Sequence, residues 1–386
     1  MSHTLSFLVL SKSWFAMSTS IPYVNLSHRQ HPQREQMLQA VAGVLDSGQF
    51  ILGEETERFE QEFAVFCGAR YAVGLNSGTD ALILALRCLG IGPGDEVITA
   101  PNSYLASASC IALAGAVPKF ADVRDDLNLD PEAVARAITP RTRAIIPVHL
   151  TGKPAAMKEL SALAQERGVE LIEDAAQAVG AALHGKPVGS LSRIGCFSLH
   201  PLKNLNACGD GGMLVTDDES VWQRARLLRN HGQPSRNDCL EFSMVSRLDS
   251  IQAAILRVKL RHLEAITASR RANAERYRLR LAACRRLQCP VDGPGEFCVY
   301  HTFVVQADKR DELVQYLQTQ GIGTAIHYPV PIHLMTVGRR LGHREGDFPV
   351  CERLAGRILS LPIYSELSGQ QIDAVAQAIL DFYKTN

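Results

Sequence analysis

The chain lacks four features, and each absence removes a class of function. It has no surplus of charge: Lys+Arg is 40, Asp+Glu is 40, and the formal net charge is zero. A nucleic-acid-binding protein normally carries a basic excess, so that partner is not expected. It has no run of about 18 apolar residues, so a membrane-spanning helix is not expected. Its ten cysteines (Cys67, Cys88, Cys110, Cys196, Cys208, Cys239, Cys284, Cys289, Cys298 and Cys351) include no CxxC pair. Neither a zinc site nor a disulfide framework is indicated. The expectation is mostly buried, reduced thiols in a cytoplasmic protein. Finally, no GxGxxG follows the first predicted strand, which argues against a plain dinucleotide-binding domain.

What is present is ordinary globular material. Over 386 residues, 46% are hydrophobic and 21% are charged. That supports a sizeable core and, at roughly 150 residues each, about two domains. There is no internal repeat and no low-complexity tract. Residues 1–16 read MSHTLSFLVLSKSWFA, with a second methionine at Met17. The apolar run from Leu5 to Leu10 is short and has no charged segment before it. A secretory signal wants a basic start and an apolar stretch of about 7–15 residues. The expectation is a loose extension over residues 1–20, ahead of a domain beginning near Ile21.

From residue 70 onward, short β-branched runs alternate with longer helical patterns. Strands are expected at Tyr71–Leu75, Glu96–Thr99, Pro118–Ala121, Arg143–Val148, Glu170–Glu173, Ile194–Ser198 and Met213–Thr216. Helices are expected at Thr79–Leu89, Tyr104–Ala114, Pro131–Ala137 and Ala155–Arg167. Such alternation predicts an α/β fold, a mainly parallel sheet covered by helices on both faces. Near residue 250 the texture changes. Asp249–Ala283 reads as two helices, followed by a strand at Tyr300–Gln306 and helices at Asp311–Thr319 and Gly369–Tyr383. This predicts a large domain over residues 21–255 and a smaller C-terminal α/β domain over 256–386. The arginines between Arg270 and Arg286 are expected on a solvated helix face balanced by acids elsewhere.

Four segments carry the chemistry, each just after a strand. Asn76-Ser77-Gly78-Thr79-Asp80 opens a helix with small residues, so backbone N–H groups can approach an anion; the same residues also cap ordinary helices. Glu173-Asp174-Ala175-Ala176-Gln177 puts an acid at the carboxyl end of a buried strand, the edge where ligands sit in open α/β sheets. A buried carboxylate there needs a cation or strong donors; a helix N-cap is the alternative. Ser198-Leu199-His200-Pro201-Leu202-Lys203 places one lysine before a glycine-rich turn at Gly209–Gly212. Desolvation lowers a lysine's pKa and frees its amine to attack a carbonyl. Pro101-Asn102-Ser103-Tyr104 offers an aromatic ring that covers a flat cofactor or else fills the core.

Taken together these segments resemble the DegT/DnrJ/EryC1/StrS family of sugar aminotransferases. The resemblance spans roughly residues 21–384. It includes Gly48-Gln49-Phe50-Ile51-Leu52-Gly53, Phe59-Glu60, Val97-Ile98-Thr99-Ala100-Pro101, Glu173–Ala178, and Ser198 five residues before Lys203. Arg247 with Gln252-Ala253-Ala254, His327-Tyr328-Pro329 and Ser360-Leu361-Pro362 complete it. The resemblance implies a fold-type I enzyme dependent on pyridoxal 5′-phosphate. It implies that Lys203 joins the cofactor covalently and that Asp174 pairs with the pyridine nitrogen. It places Gln177 near the ring hydroxyl, Tyr104 stacked on the ring, and Gly78, Thr79 and Ser198 on the phosphate. No metal is implied. It further implies transfer of an amino group from glutamate or glutamine to a keto sugar, mostly nucleotide-linked, by a homodimer with shared sites.

One segment departs from the family. Its Gly-x-Asn-x-Arg pattern appears here as Ser243-Met244-Val245-Ser246-Arg247, and Val245 cannot donate the hydrogen bond that the family's asparagine gives to the phosphate of the neighbouring subunit. Asn230, His231 and Arg247 are the candidate substitutes. A keto-cyclitol substrate, a sugar dehydratase and a non-catalytic cofactor-binding regulator are the alternative readings. The dehydratase relatives carry histidine where Lys203 stands. His327 and His333 are open between a substrate-facing and a structural role.

Overall fold

The computed structural model describes residues 20–27 and 32–385. Apart from Ser20, the expected extension over residues 1–20 lies outside the described residues. Two helices that the sequence reading did not anticipate come first, α1 (Arg34–Ser47) and α2 (Glu54–Cys67). Then alternation sets in: β1 (Tyr71–Leu75), α3 (Gly78–Cys88), β2 (Glu96–Thr99), α4 (Ala106–Leu113), β3 (Val117–Phe120), α5 (Pro131–Ala137), β4 (Thr142–Ile146), α6 (Met157–Arg167) and β5 (Glu170–Asp174). Two short strands, β6 (Ala182–Leu183) and β7 (Lys186–Pro187), precede β8 (Ile194–Ser198), β9 (Gly212–Thr216) and α7 (Glu219–Leu228). Helices α8 (Ser250–Leu260) and α9 (Leu263–Leu281) divide the expected long helical stretch in two.

Seven strands form the main sheet in the order β1-β9-β8-β5-β4-β2-β3. Strand β9 runs antiparallel to both β1 and β8, and every other pair is parallel. Because β9 alone is reversed, the carboxyl ends of the other six strands share one edge, and the loops that follow them converge there. Central strands such as Ala144-Ile145-Ile146 and Leu171-Ile172 are buried on both faces, as a doubly covered sheet requires. Alternation sorts the side chains. Leu214 and Ile172 join Leu84 of α3 and Ile111 of α4 on one face. Met213, Val215 and Phe197 join Phe59 of α2 and Leu256 of α8 on the other.

The rest of the chain builds a second sheet. Strands β10 (Leu287–Gln288), β12 (Phe303–Ala307) and β13 (Ile358–Leu361) pair in the order β10-β12-β13, while β11 (Glu296–Phe297) joins β6 and β7. Helices α10 (Arg310–Thr319), α11 (Thr336–Arg340), α12 (Pro349–Ala355) and α13 (Gly369–Thr385) complete the chain. Tyr277, Phe303, Leu361 and Ile379 share the second core. Ile21 also lies in it, its amide donating to the Gly321 carbonyl at 3.0 Å.

Three expectations are corrected. The strand expected at Tyr300–Gln306 begins only at Phe303, because Tyr300 takes a left-handed backbone conformation (φ 46°) that ends any ladder there. The helix expected at Tyr104–Ala114 begins at Ala106. Among the arginines of α9, Arg276 and Arg280 pair with Asp373 on the surface as expected, but Arg270 is buried and donates to the carbonyls of Tyr300 and Ile363, both at 3.0 Å. All ten cysteines are free; Cys208 and Cys239 are the exposed ones.

Candidate active site

The four segments meet at the carboxyl edge of the main sheet. Strand β1 delivers Ser77, whose Oγ caps α3 by accepting from the Asp80 amide at 3.1 Å. Capping therefore occupies Ser77 and leaves the next two positions, Gly78 and Thr79, at the head of a helix whose first amides have no intrahelical acceptor. Register explains why Gly78 is glycine. Gly212 of β9 pairs with Leu75 of β1 on one side and Ser198 of β8 on the other. A Cβ on Gly78 would stand 2.7 Å from Ser198 Cβ and 3.0 Å from its Cα. Gly78 and Ser198 are thus brought against each other, with Thr79 next to Gly78 at the helix head. Ser246 braces it from behind, accepting from the Asn76 amide at 3.1 Å and donating to Asp80 at 2.8 Å.

Strand β5 ends in two acids that alternation sends to opposite faces. Glu173 is fully enclosed. It meets His149 Nε2 at 3.0 Å and accepts from the amides of Gly189 (2.6 Å) and Ser192 (2.7 Å) and from Ser192 Oγ (3.0 Å). His149 Nδ1 in turn accepts from the Ala155 amide at 2.9 Å. Every lone pair and proton of that pair has a use within the fold, so it is a structural brace. Asp174 is different. It is 3% exposed and accepts from Ser107 Oγ (2.7 Å) and the Ala176 amide (3.1 Å), with no ion pair to it among the described residues. Burial pushes its carboxyl upward, partly countered by Ser107, Ala176 and the Lys203 charge. No helix follows it, so the N-cap alternative falls away.

Lys203 sits in the loop between β8 and β9. Leu199 closes that loop by donating to Gly211 (2.8 Å) and accepting from Ala207 (2.7 Å), and the Lys203 amide donates to His200 at 2.8 Å. Burial lowers the ammonium's pKa to about 8, opposed by the Asp174 charge. Gln177, just past Asp174, accepts from the Thr151 amide (2.7 Å) and donates to Tyr328 Oη (3.3 Å). The Tyr328 ring lies 5.9 Å from that of Tyr104, centroid to centroid. Tyr104 is 61% exposed, so the core alternative does not hold and its ring is open to a ligand.

The histidines of the 327–333 segment separate. His327 Nδ1 meets Ser360 Oγ at 2.8 Å, and burial with the Lys203 charge lowers it to about 4. His333 is wholly buried against Glu352 (2.9 Å), a structural role. Val245 lies on the surface at 43% exposed, and Arg247 Nη1 donates to Asn230 Oδ1 at 3.1 Å. The sequence reading missed Ser107, which only its place one turn beyond Ser103 could have suggested; their hydroxyls meet at 2.9 Å.

These features fit pyridoxal 5′-phosphate on three counts: a desolvated amine, an acid without a cation in a dry setting, and a glycine corner at a helix head. A mainly parallel sheet with that set at its carboxyl edge defines the fold-type I class of aminotransferases dependent on this cofactor. The sequence model of the DegT/DnrJ/EryC1/StrS aminotransferase family matches residues 32–380, and the chain belongs to that family. It is 43% identical over 368 residues to the dTDP-3-amino-3,4,6-trideoxy-alpha-D-glucose transaminase of Streptomyces venezuelae, covering 95% of this chain and 97% of that one. It is 44% identical over 366 residues to the UDP-N-acetyl-3-dehydro-alpha-D-glucosamine 3-aminotransferase of Acidithiobacillus ferrooxidans, covering 94% and 98%. The solved structure of DesV from S. venezuelae superposes with a TM-score of 0.92 at 43% identity, covering 94% of this chain and 98% of that one. No helix among the described residues is long and apolar enough to cross a membrane.

Proposed function

We propose that this aminotransferase moves an amino group from glutamate or glutamine to a keto sugar carried on a nucleotide. The observation that carries the reading is a desolvated Lys203 and a buried Asp174, with no ion pair to Asp174 among the described residues, both at the sheet's ligand-facing edge. Two relatives named for dTDP- and UDP-linked sugars support the substrate class.

The residues divide the work. Gly78 and Thr79 offer helix-head amides, and Ser198 a hydroxyl, to the cofactor phosphate. Tyr104 would cover the cofactor ring, and Gln177, fixed by Thr151 and Tyr328, would meet the ring hydroxyl. Asp174 would keep the ring nitrogen protonated, and Ser107 fixes the carboxylate that would do so. When bound, pyridoxal phosphate supplies an electron sink for charge that develops on the substrate carbon. Lys203 Nζ carries the covalent attachment. Once free, it takes the proton from the donor's α-carbon and later delivers one to the sugar carbon, as general base and acid. A pKa lowered to about 8 suits an amine that must work in both directions near neutral pH.

Three further elements belong to the proposal. The chain divides near residue 255, within α8, into a large cofactor-binding unit, residues 21–255, whose first residue Ile21 crosses over to the second core, and a small C-terminal unit, residues 256–386. It works as a cytoplasmic homodimer with shared sites. Support comes from the exposed Tyr104 and from Leu240 and Phe242, which a monomer leaves in solvent at 66% and 97%. The test is a screen of dTDP- and UDP-linked keto sugars and of keto-inositols with glutamate or glutamine, read by mass spectrometry. An aminated nucleotide sugar is expected. Amination of inositols alone would move the substrate to cyclitols, and no product with any donor would overturn the reading. Lys203→Ala should stay folded and make no product.

A further inference from the structure

Strand β1 is an edge of the main sheet and pairs on one side only, with β9. On its free side, alternate residues need other partners. Side chains supply them. The Gly74 amide donates to Glu60 Oε1 at 2.8 Å, and the Gly74 carbonyl accepts from Arg229 Nη1 at 2.9 Å. Two residues on, the Asn76 amide donates to Ser246 Oγ at 3.1 Å. Arg229 and Glu60 also form a buried ion pair with each other. Ser246 is wholly buried, and its own amide donates to the Arg229 carbonyl at 2.9 Å. The end of β1 and the turn into α3 are thus fastened to the 243–247 segment.

Ser77-Gly78-Thr79-Asp80 has the spelling of a capping box. In that motif the N-cap hydroxyl takes the third amide, and the third side chain returns to the N-cap amide. Only the first half is made here: Ser77 Oγ accepts from the Asp80 amide at 3.1 Å. The Asp80 carboxylate instead accepts from Ser246 Oγ at 2.8 Å, and no bond joins it to the Ser77 amide among the described residues. A closed box would consume the Ser77 amide. It would also set a negative charge at the helix head, where the dipole otherwise favours an incoming anion. The Ser246 hydroxyl is fully committed, accepting from Asn76 and donating to Asp80.

We propose that Ser246 is a positioning residue for the cofactor phosphate: its hydroxyl holds the Asp80 carboxylate back from the head of α3, which leaves the Ser77 amide open beside those of Gly78 and Thr79 and keeps a second negative charge off the anion. The inference rests on the reading of this helix head as the phosphate seat. The 243–247 segment then serves that seat even though Val245 cannot donate a hydrogen bond, because the next residue acts on it through Asp80.

The test uses the full chain stripped of cofactor and two probes, pyridoxal 5′-phosphate and pyridoxal, which differ only in the phosphate. Dissociation constants are read by absorbance titration. Ser246→Ala frees the Asp80 carboxylate to close on the Ser77 amide. The dissociation constant of pyridoxal 5′-phosphate should then rise about tenfold, the equivalent of one modest hydrogen bond. That of pyridoxal should match the wild type. Adding Asp80→Ala to Ser246→Ala removes the group that would close the box and should recover most of the lost phosphate affinity. A serine with a purely structural role would weaken both probes alike and gain nothing from the second substitution. Should the alanine variant not fold, Ser246→Cys, close in size but a poor donor, takes its place and should shift the two probes in the same unequal way. Equal weakening of both probes, unchanged binding of pyridoxal 5′-phosphate, or no recovery in the double variant would overturn the inference. The underlying reading fails by a different result: wild-type protein that binds pyridoxal 5′-phosphate no more tightly than pyridoxal has no phosphate seat at this helix head.

Discussion

Replacing Lys203 by methionine should make the cofactor-free protein more stable at neutral pH, and the gain should vanish in alkali. The lysine's ordinary value is 10.5 and burial lowers it to about 8 in the fold. The folded state therefore binds fewer protons at this site than the unfolded state across that window, and stability rises with pH there. Below about pH 8 both states carry the charge, and the fold bears the whole cost of burying it. Above about pH 10.5 neither does, and the cost is gone. The interval corresponds to roughly 3 kcal/mol, an upper figure because Asp174 and any water near the amine relax it. Methionine keeps most of the stem and removes the charge. Thermal melts of the two apoproteins from pH 7 to pH 10 provide the assay. The variant should melt several degrees higher at pH 7 and converge on the wild type as pH rises through 8 to 10. A constant offset at all pH values, or a less stable variant at pH 7, would refute the claim that Lys203 is held in a desolvating site.

Other predictions follow from the same geometry. Asp174→Asn should lower kcat by about 100-fold or more in steady-state kinetics, since an amide cannot stabilise a ring cation; near-normal turnover would contradict it. Gly78→Ala would push a Cβ to 2.7 Å from Ser198 Cβ at a helix whose far side is packed into the core. Overpacking of this kind costs about 1–3 kcal/mol, so the cofactor's dissociation constant by absorbance titration should rise about 5- to 100-fold. Gly43→Ala, whose Cβ meets nothing within 4 Å, is the neutral control. Glu173→Gln turns an amide toward donors that need an acceptor and should destabilise the fold by about 3 kcal/mol in urea titrations.

Much of the catalytic edge was legible in the sequence, because it rests on strands whose β-branched cores announce themselves. Tyr71–Leu75, Glu96–Thr99 and Ile194–Ser198 stand where the pattern put them, and each leads into a segment of the site. What the pattern could not show is side-chain reach across the chain. Val299-Tyr300 has strand chemistry, yet the Tyr300 carbonyl is taken by the Arg270 guanidinium rather than by a neighbouring strand. Arg270 itself lies in an arginine-rich run that reads as surface. Ser246 and Ser107 act on residues 166 and 67 positions away in the chain, and a hydroxyl in a helix or loop carries no mark of its distant partner. Helices α1 and α2 precede β1, so no strand–helix alternation marks them in the sequence.

The most direct test of the account is covalent. Purified protein reconstituted with pyridoxal phosphate, reduced with borohydride and digested should carry a pyridoxyl mass on the peptide containing Lys203 and on no other lysine. An unmodified Lys203 peptide, or the label on a different lysine, would contradict the assignment of this site.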